Sequence, residues 1–311
     1  VFVERLVDRA RHIEVQVVAD RDGNAVYVGE RECSIQRRHQ KVVEECPSPV
    51  VGAELRQRLG AAALAIVRAS GYHSVGTVEF LLDPDGSFYF LEMNTRLQVE
   101  HPVTEEVYGV DLVREQINLA LGHELSFRQE DLVPRGHAIE CRVYAEDPLR
   151  GFAPSPGRIS LYVRPGGPGV RLDSGVLAES VVPLDYDPML AKLIVWGPDR
   201  PSAVSRLDRA LSEYQVRGVA TTLTLFRALV GMDAFHNADF HTTFLDELLA
   251  SGSLKEIHGQ QDPDAEHAAV LAAACLATLS ADRLPDDPFA EGADSDWWRE
   301  GTRDLHGRFP R

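Results

Sequence analysis

Three oxygen-bearing side chains flank a predicted turn and could together hold a divalent cation: Glu79, Glu92 and Asn94. The turn is the segment Asp-Pro-Asp-Gly at 83–86, a strong hairpin signal between strands predicted over 76–82 and 87–94. Two carboxylates and an amide oxygen are hard ligands that suit Mg²⁺ held partly by the phosphates of a nucleotide. Two exposed glutamates on a solvated sheet face explain the same pattern about as well.

The pairing of the two strands decides whether these side chains meet. If residues 83–86 form the loop, Glu79 faces Phe90 and Glu92 faces Thr77. Because side chains alternate along a strand, all three candidate ligands then project from one face. Carboxylates on neighbouring positions of a ladder repel each other unless a cation lies between them.

A second group of polar side chains directly follows the hairpin. Arg96, Gln98 and Glu100 occupy alternate positions and would line the same face if the strand continues. A guanidinium there could bind an anion, and Glu100 could act as a general base. An arginine and a glutamate two residues apart are also typical of a surface ion pair.

Cationic and amide side chains are concentrated in residues 32–41, which include Gln36, His39 and Lys41. Because residues 30–46 carry many charges and no clear periodicity, we expect a loop there. A local basic segment in an acidic chain suits phosphate or bicarbonate, although a solvated basic turn is the simpler explanation.

For two further polar residues, the sequence evidence of a functional role is weaker. His12 begins the polar face of a predicted strand, where a lone histidine is more often structural than functional. Arg142 shares a predicted strand face with Glu140, and a half-buried ion pair between them is the simpler explanation.

Composition restricts the function classes. The chain has 311 residues, 44% of them hydrophobic, and a net charge of −16, which together indicate one or two ordinary globular domains. The negative charge argues against a nucleic-acid groove, and no run of ~18 apolar residues could span a bilayer. Four scattered cysteines favour reduced thiols in a cytoplasmic protein. The chain starts at Val1 in what reads as a strand, so we expect sequence upstream of it.

The elements that must position these residues form an α+β pattern. Period-two alternation and turn signals predict strands over 12–19, 25–29, 76–82, 87–94, 137–144, 157–163 and 190–196. Helical periodicity and glycine stops predict helices over 54–70, 103–121, 203–214, 222–229 and 265–280.

Several long segments resemble biotin carboxylase, the ATP-grasp component of biotin-dependent carboxylases. They are HIEVQV (12–17), ERECSIQRRHQKVVEE (30–45), EMNTRLQVEHPVTE (92–105), RGHAIECRVYAEDP (135–148), FAPSPGRI (152–159) and YDPMLAKLI (186–194). The resemblance implies an α+β fold with three parts. An ATP-grasp C-terminal lobe, an antiparallel sheet with helices, covers 1–130. The biotin carboxylase C-terminal domain covers 131–245, and 246–311 is a linker that starts an incomplete domain.

The same resemblance implies ATP-dependent carboxylation of biotin by bicarbonate through carboxyphosphate, with Mg²⁺ or Mn²⁺. It implies metal ligation by Glu79, Glu92 and Asn94, and a bicarbonate site made of Lys41, Arg96, Gln98 and Val99. The implied ATP-binding residues are Glu4, Arg5, Leu6, Val7, His12, Gln36, His39, Glu79, Leu81 and Glu92. The implied catalytic residues are Lys41, Arg96, Glu100 as the base that deprotonates bicarbonate, and Arg142 as the residue that binds biotin and stabilises its enolate.

The chain lacks some features of the family, and these differences indicate which partners it needs. No Ala-Met-Lys-Met segment is present, so biotin should arrive on a separate carrier domain and be used by a carboxyltransferase subunit. A homodimer is a further expectation, and neither nucleic acid nor membrane is expected as a partner. The family's N-terminal domain and glycine-rich lid are absent, so we expect this chain alone to be inactive. Residues 218–222 read Gly-Val-Ala-Thr-Thr where the family usually has Gly-Val-x-Thr-Asn.

Two other interpretations remain at this point. One is a different ATP-grasp ligase of the carbamoyl-phosphate synthetase kind, against which residues 37–41 and 100–105 argue. The other is a non-catalytic assembly fragment that docks partners through its C-terminal domain.

Overall fold

The structure is a computed structural model that describes residues 3, 5–252 and 271–275. The chain divides into two compact units, 1–258 and 259–311. In the second unit the described residues, 271–275, are helical and lie inside the helix predicted over 265–280, the rest of which is outside the described residues. In the described part of the chain, no helix combines the length and apolar character needed to cross a membrane.

Strands and helices of the first unit follow the α+β pattern. The strands are β1 Arg11–Ala19, β2 Ala25–Arg37, β3 Gln40–Cys46, β4 Ser74–Leu82, β5 Phe88–Asn94, β6 His137–Tyr144, β7 Glu146–Asp147, β8 Ala153–Pro154, β9 Gly157–Arg158, β10 Leu161–Val163, β11 Val170–Ser174, β12 Val181–Val182, β13 Met189–Gly197 and β14 Gln215–Arg217. The helices are α1 Ala53–Ser70, α2 His101–Tyr108, α3 Leu112–Ala120, α4 Arg200–Glu213, α5 Leu223–Val230, α6 Asp233–His236 and α7 Phe244–Ser251.

One eight-stranded antiparallel sheet, in the order β11-β13-β6-β3-β2-β1-β4-β5, runs through the unit. It takes strands from both 1–130 and 131–245. The alternation predicted for β1 places Ile13, Val15 and Val17 in a core with α1, and places polar side chains on the opposite face. Helices α4 and α5 cover the β6 and β13 part of the sheet in a second core. The predicted fold class is confirmed.

The expected loop over 30–46 is wrong. Its residues belong to β2 and β3, which are joined by a tight turn in which Arg38 and His39 both adopt positive φ, 50° and 65°. Two such residues are typical of the turn that suits the twist of a hairpin. The pattern misled because charged residues are buried here: Glu30, Arg31 and Glu32 are at most 1% exposed, so no polar face alternates with an apolar one.

Two other predicted elements are interrupted. The single helix predicted over 103–121 is two helices, because Gly109 caps α2 in the left-handed conformation at φ 68° and Asp111 caps α3 by accepting a hydrogen bond from the Arg114 amide at 2.8 Å. The strand predicted over 157–163 is likewise two short strands, β9 and β10, which pair with β12 and β14 respectively.

A buried arginine joins the sheet to α2. Arg31 is fully buried, and its five N–H groups all donate. One donates to the carboxylate of Glu14. The other acceptors are Gln16 at 2.7 Å, Thr104 of α2 at 2.9 Å, Gln98 at 2.8 Å and Thr77 at 3.3 Å. A guanidinium with every donor used can be buried only beside a compensating anion, which Glu14 supplies.

Replacing this guanidinium tests how far the fold depends on it. Arg31→Met should lower the free energy of unfolding by about 3–5 kcal/mol, because it leaves the buried Glu14 short of one cation. Chemical denaturation of the purified chain measures the change. Arg68→Met on the exposed face of α1 is the control and should change the free energy by no more than about 0.5 kcal/mol. Equal effects of the two substitutions would contradict the structural role of Arg31.

Candidate active site

The polar face of β1 and β4 is the floor of the site. His12, Glu14 and Gln16 alternate along β1, and they face Leu81, Glu79 and Thr77 of β4 in register. The segment after β5, residues 95–100, and the start of α2 lie above this face, since Gln98 and Thr104 reach Arg31 beneath them. The site is therefore assembled from neighbouring strands of one sheet.

The assumed register of the β4–β5 hairpin is wrong, although the three side chains still meet. Glu79 pairs directly with Glu92, and Thr77 pairs with Asn94. A bulge between Glu79 and Phe80, together with a loop that includes Ser87, shifts the ladder. Directly opposed residues share a face, so the bulge brings the two carboxylates closer than the assumed pairing would.

Lys41 lies at the centre of the site. Its ammonium donates to three carboxylates: Glu14, Glu79 at 2.9 Å and Glu100 at 2.7 Å. Burial opposes the charged form, but the surrounding carboxylates, Glu14 above all, outweigh it and raise the pKa of Lys41 above its ordinary value. Lys41 is therefore a permanent positive charge among three acids.

Glu79 is the most heavily hydrogen-bonded of the acids. Its Oε1 accepts from Lys41, from Gln98 at 2.7 Å and from Asn94 at 3.1 Å, and its Oε2 accepts from His12 Nε2 at 2.8 Å. Gln36 donates to His12 Nδ1, which leaves the proton of the neutral ring on Nε2. Burial favours the protonated acid, but these donors overcome it and lower the pKa of Glu79 to about 2. His12, Gln36, Glu79, Gln98 and Lys41 thus form one connected network.

The three predicted metal ligands offer a suitable donor set. Asn94 Nδ2 bridges the carboxylates of Glu79 and Glu92 at 3.1 and 3.0 Å, and Glu92 is exposed. Rotating the amide would present its oxygen instead, giving oxygen donors from all three residues on the open side of the hairpin. The donor chemistry therefore fits Mg²⁺, with solvent-facing positions left for other ligands.

Glu100 lies between two cations. One of its carboxylate oxygens accepts from Lys41, and the other accepts from Arg142 Nη2 at 2.9 Å. Arg142 also donates from Nε to Glu44 at 2.6 Å, so it does not form the expected ion pair with Glu140. Glu100 is 2% exposed, which excludes the surface pair with Arg96. A carboxylate held by two cations is well placed to accept a proton from an anion bound beside them.

Thr222 supports the strand that carries Arg142. Its hydroxyl donates to the Arg142 carbonyl at 3.2 Å and accepts from the Tyr144 amide at 3.0 Å. The threonine in the Gly-Val-Ala-Thr-Thr segment therefore makes local contacts with the backbone of β6.

Other predicted site residues lie outside this network. Arg96 is exposed and donates only to the neighbouring Leu97 carbonyl at 3.3 Å, and His39 is exposed at the β2–β3 turn. The carbonyl of Val99 accepts from Lys192 at 3.0 Å, and Leu81 faces His12 across the ladder. Of the amino-terminal set, Arg5, Leu6 and Val7 are described and Glu4 is outside the described residues. Arg5 lies over the Tyr89 ring at 5.1 Å, and Leu6 is 89% exposed.

Sequence reasoning missed three members of the network: Glu14, Arg31 and Glu44. Glu14 contacts both Arg31 and Lys41, and Glu44 contacts Arg142. Alternate spacing of Glu14 with His12 was a usable signal. A buried arginine in a charged strand has no such signature, since exposure is the ordinary state of its residue type.

Comparisons with known proteins match two parts of this chain to known domains. Residues 1–128 match the family model described as the carbamoyl-phosphate synthase L chain ATP-binding domain, and residues 140–247 match the biotin carboxylase C-terminal domain. The chain is 56% identical over 247 residues to a pyruvate carboxylase subunit of Methanothermobacter thermautotrophicus, and 54% identical over 244 residues to the chloroplastic biotin carboxylase of Arabidopsis thaliana. This chain belongs to the biotin carboxylase family.

The chain spans about half the length of these biotin carboxylase relatives. The matches cover 79% and 78% of this chain, but 50% of the Methanothermobacter protein and 45% of the Arabidopsis protein. Among solved structures, the biotin carboxylase domain dimer of 2-oxoglutarate carboxylase from Hydrogenobacter thermophilus superposes with a TM-score of 0.77 at 45% identity. That match covers 79% of this chain and 54% of the other, which was solved with MgADP, ADP and bicarbonate.

The pH dependence of stability tests the buried network. Burial raises the pKa of Glu14, but Arg31 and Lys41 outweigh it and lower the pKa to about 2, from an ordinary value of 4.5. A lowered pKa stabilises the fold above the ordinary value, and this stability is lost as the pH falls from 4.5 to about 2. Glu14→Gln cannot titrate, so its unfolding free energy should depend less steeply on pH across that window. Denaturation at several pH values measures the slope.

Exposed Glu54 on α1 gives the matched control for this measurement. Glu54→Gln should keep the parent's slope, since an exposed carboxyl contributes little to folding. A Glu14→Gln slope equal to that of the parent would contradict the network.

Proposed function

We propose that this chain forms the metal, bicarbonate and biotin part of an enzyme that uses ATP and bicarbonate to carboxylate biotin through carboxyphosphate. The observation that carries the proposal is the position of Glu100, bonded to Lys41 on one oxygen and to Arg142 on the other. This arrangement puts a general base between a cation suited to bicarbonate and one suited to the ureido group of biotin.

The first step uses the Lys41 side of the site. Bicarbonate would bind to Lys41 together with Arg96, Gln98 and the Val99 backbone, and exposed Arg96 has room to turn toward the anion. Glu100 accepts the bicarbonate hydroxyl proton. The deprotonated oxygen then attacks the γ-phosphorus of ATP, the bond to the β-phosphate oxygen breaks, and carboxyphosphate and ADP form.

The second step uses the Arg142 side. Carboxyphosphate splits at its C–O bond into CO2 and phosphate, and the released phosphate takes the N1 proton of biotin. The Arg142 guanidinium stabilises the negative charge on the ureido oxygen, and N1 then attacks the carbon of CO2 to give carboxybiotin. The support for this role is the position of Arg142, which is 8% exposed and is held between Glu44 and Glu100. Fixed donors aimed at developing charge supply a large part of such rate enhancements.

The hairpin would hold the nucleotide and its metal. Glu79, Glu92 and Asn94 would ligate Mg²⁺ or Mn²⁺, which offsets the charge of the phosphates when it is bound. The remaining ATP contacts would come from Glu4, Arg5, Leu6, Val7, His12, Gln36, His39 and Leu81. The contact of Arg5 with Tyr89 supports this assignment, because it brings the amino-terminal segment against β5.

The proposed partners follow from the relatives, whose names describe subunits and domains of larger carboxylases. We assign residues 1–130 to the ATP-grasp lobe, 131–245 to the biotin carboxylase C-terminal domain, and 246–311 to a linker and the start of a following region. Biotin would come from a carrier domain and pass to a carboxyltransferase, in a cytoplasmic homodimer. The match of residues 140–247 favours biotin over a carbamoyl-phosphate synthetase-like reaction.

The metal site can be tested in the intact enzyme, meaning this chain with the sequence that flanks it in its reading frame. Glu92→Gln should reduce bicarbonate-dependent ATP turnover by at least about tenfold and raise the Mg²⁺ concentration required, because one anionic ligand is lost. Steady-state rates across a Mg²⁺ titration measure both effects. Asp85→Asn in the exposed turn of the same hairpin is the control. A Mg²⁺ dependence that matches the parent's would refute the assignment of Glu92.

The biotin step is tested separately. Arg142→Ala should leave nucleotide binding within about twofold of the parent while carboxylation of biotin falls by about 100-fold or more, since the guanidinium is proposed to contact biotin and not the nucleotide. Incorporation of labelled bicarbonate into biotin and nucleotide binding by calorimetry are the two measurements. Carboxylation at the parent's rate would remove Arg142 from the mechanism.

A further inference from the structure

Two buried glutamates lie directly behind Arg142 on neighbouring strands. Glu44 of β3 faces Glu140 of β6 in the antiparallel ladder, and neither side chain is exposed. Directly opposed side chains in a sheet have Cβ atoms about 4.5–5.5 Å apart. Two carboxylates this close and this dry cannot both carry a full charge without a large cost in free energy.

The hydrogen bonds of the pair are incomplete in a specific way. Glu44 Oε1 accepts from Arg142 Nε at 2.6 Å, whereas Glu44 Oε2 and both carboxyl oxygens of Glu140 are buried without a hydrogen-bond partner. Within the described residues, these three atoms are the buried side-chain oxygens and nitrogens that lack one. Buried polar atoms of folded proteins are almost always paired. One proton on Glu140 would supply a donor next to Glu44, because directly paired residues of a ladder share a face.

The charges around the pair favour one remaining negative charge. Burial raises the pKa of Glu140 well above its ordinary value, and the neighbouring Glu44 raises it further. Burial also raises the pKa of Glu44, to about 7, although Arg142 opposes this shift. The charged and titratable groups around the pair come from several elements: Arg142 on β6, Lys192 on β13, Lys41 at the start of β3, Cys33 on β2, and Glu100. Helix α2, which packs on β3 and β6, carries two more, His101 and Glu105.

We propose that Glu44 and Glu140 hold one proton between them, so that a single negative charge lies behind Arg142 and positions its guanidinium toward Glu100. Both are positioning residues, because neither contacts the reacting groups and both act through Arg142. The positioning role rests on the proposed function of Arg142, whereas the shared proton does not. The proton comes from solvent, and no other bond of either residue forms or breaks.

The sign of the pH dependence follows from the charge. When Glu44 also becomes protonated, it can still accept the hydrogen bond from Arg142 Nε, but it no longer supplies the negative charge that holds the guanidinium in place. Because the pKa of Glu44 is about 7, the biotin-dependent step should weaken as the pH falls through that value. In turnover of ATP with bicarbonate alone, Arg142 acts only through its contact with Glu100, so this component should be smaller there.

Infrared spectroscopy of the purified chain tests the shared proton without any substrate. At about pH 8, where ordinary carboxyls are ionised, the parent should show the carbonyl stretch of a protonated carboxylic acid. Glu140→Gln should lose this band, and the control Glu32→Gln, another buried glutamate of the same sheet, should retain it. A band that survives in Glu140→Gln, or a parent without one, overturns the shared proton. Should Glu140→Gln fail to fold, carboxyl-carbon NMR of the parent decides by showing whether one glutamate stays protonated at that pH.

Kinetics of the intact enzyme tests the positioning role. Glu44→Gln should reduce biotin-dependent turnover by about 10–100-fold and remove the loss of rate below about pH 7, since a misplaced guanidinium is costly and Gln cannot titrate. Relative to the Glu32→Gln control, its bicarbonate-dependent turnover without biotin should fall much less than its biotin-dependent turnover does. Biotin-dependent turnover at the control's rate, with an unchanged pH profile, overturns the positioning role. A parent with no biotin-dependent turnover would count against the proposed function alone, because the infrared result stands without it.

Discussion

The structure depends on the balance of charge inside a sheet whose central strands are buried on both faces. Glu14 is completely buried and contacts both Arg31 and Lys41, so a single acid is shared by two cations. Arg31 could not be kept in this dry position without Glu14, because an isolated buried charge costs many kcal/mol, whereas Lys41 also contacts Glu79 and Glu100. The same contacts bring β1, β2, β3 and α2 together. Charge balance therefore determines both the fold around the site and the position of its reactive groups.

This arrangement also explains why the site is held so firmly before any substrate is present. Lys41 uses all three of its donors on carboxylates, and Glu79 accepts four hydrogen bonds. Under the proposed function, a bicarbonate that binds to Lys41 would replace one of these carboxylates as its partner. Because the displaced carboxylate stays in the site, the anion adds one negative charge, which exposed Arg96 could offset by turning toward it.

The sequence was sufficient to predict a strand or helix where one face of the element is apolar and the other is polar. The strand β1 and the helix α1 followed from their periodicity, and β6 was predicted with its observed bounds, 137–144. The hairpin of β2 and β3 was not predicted, because its buried charges erase the alternation that a period-two pattern requires. The register of β4 and β5 was missed because the loop includes Ser87 and a bulge follows it, and each moves the ladder by one position without a mark in composition. The hydrogen-bond partners of buried charges, such as Thr104 for Arg31, could not be predicted either, because they depend on which elements pack together.

The continuity of the eight-stranded sheet has a consequence for distances. Between β4, which carries Glu79, and β6, which carries Arg142, lie β1, β2 and β3, so the two strands are four spacings or about 19 Å apart. These five strands are hydrogen-bonded in succession, so the sheet itself sets the distance between β4 and β6. The backbone distance between the strands that carry Glu79 and Arg142 depends on the twist of the sheet, against which α1 and α4 pack, whereas Lys41 and Glu100 bridge the two side chains. Substitutions in the cores beneath α1 and α4 can therefore change the distance between Glu79 and Arg142 without contacting either residue.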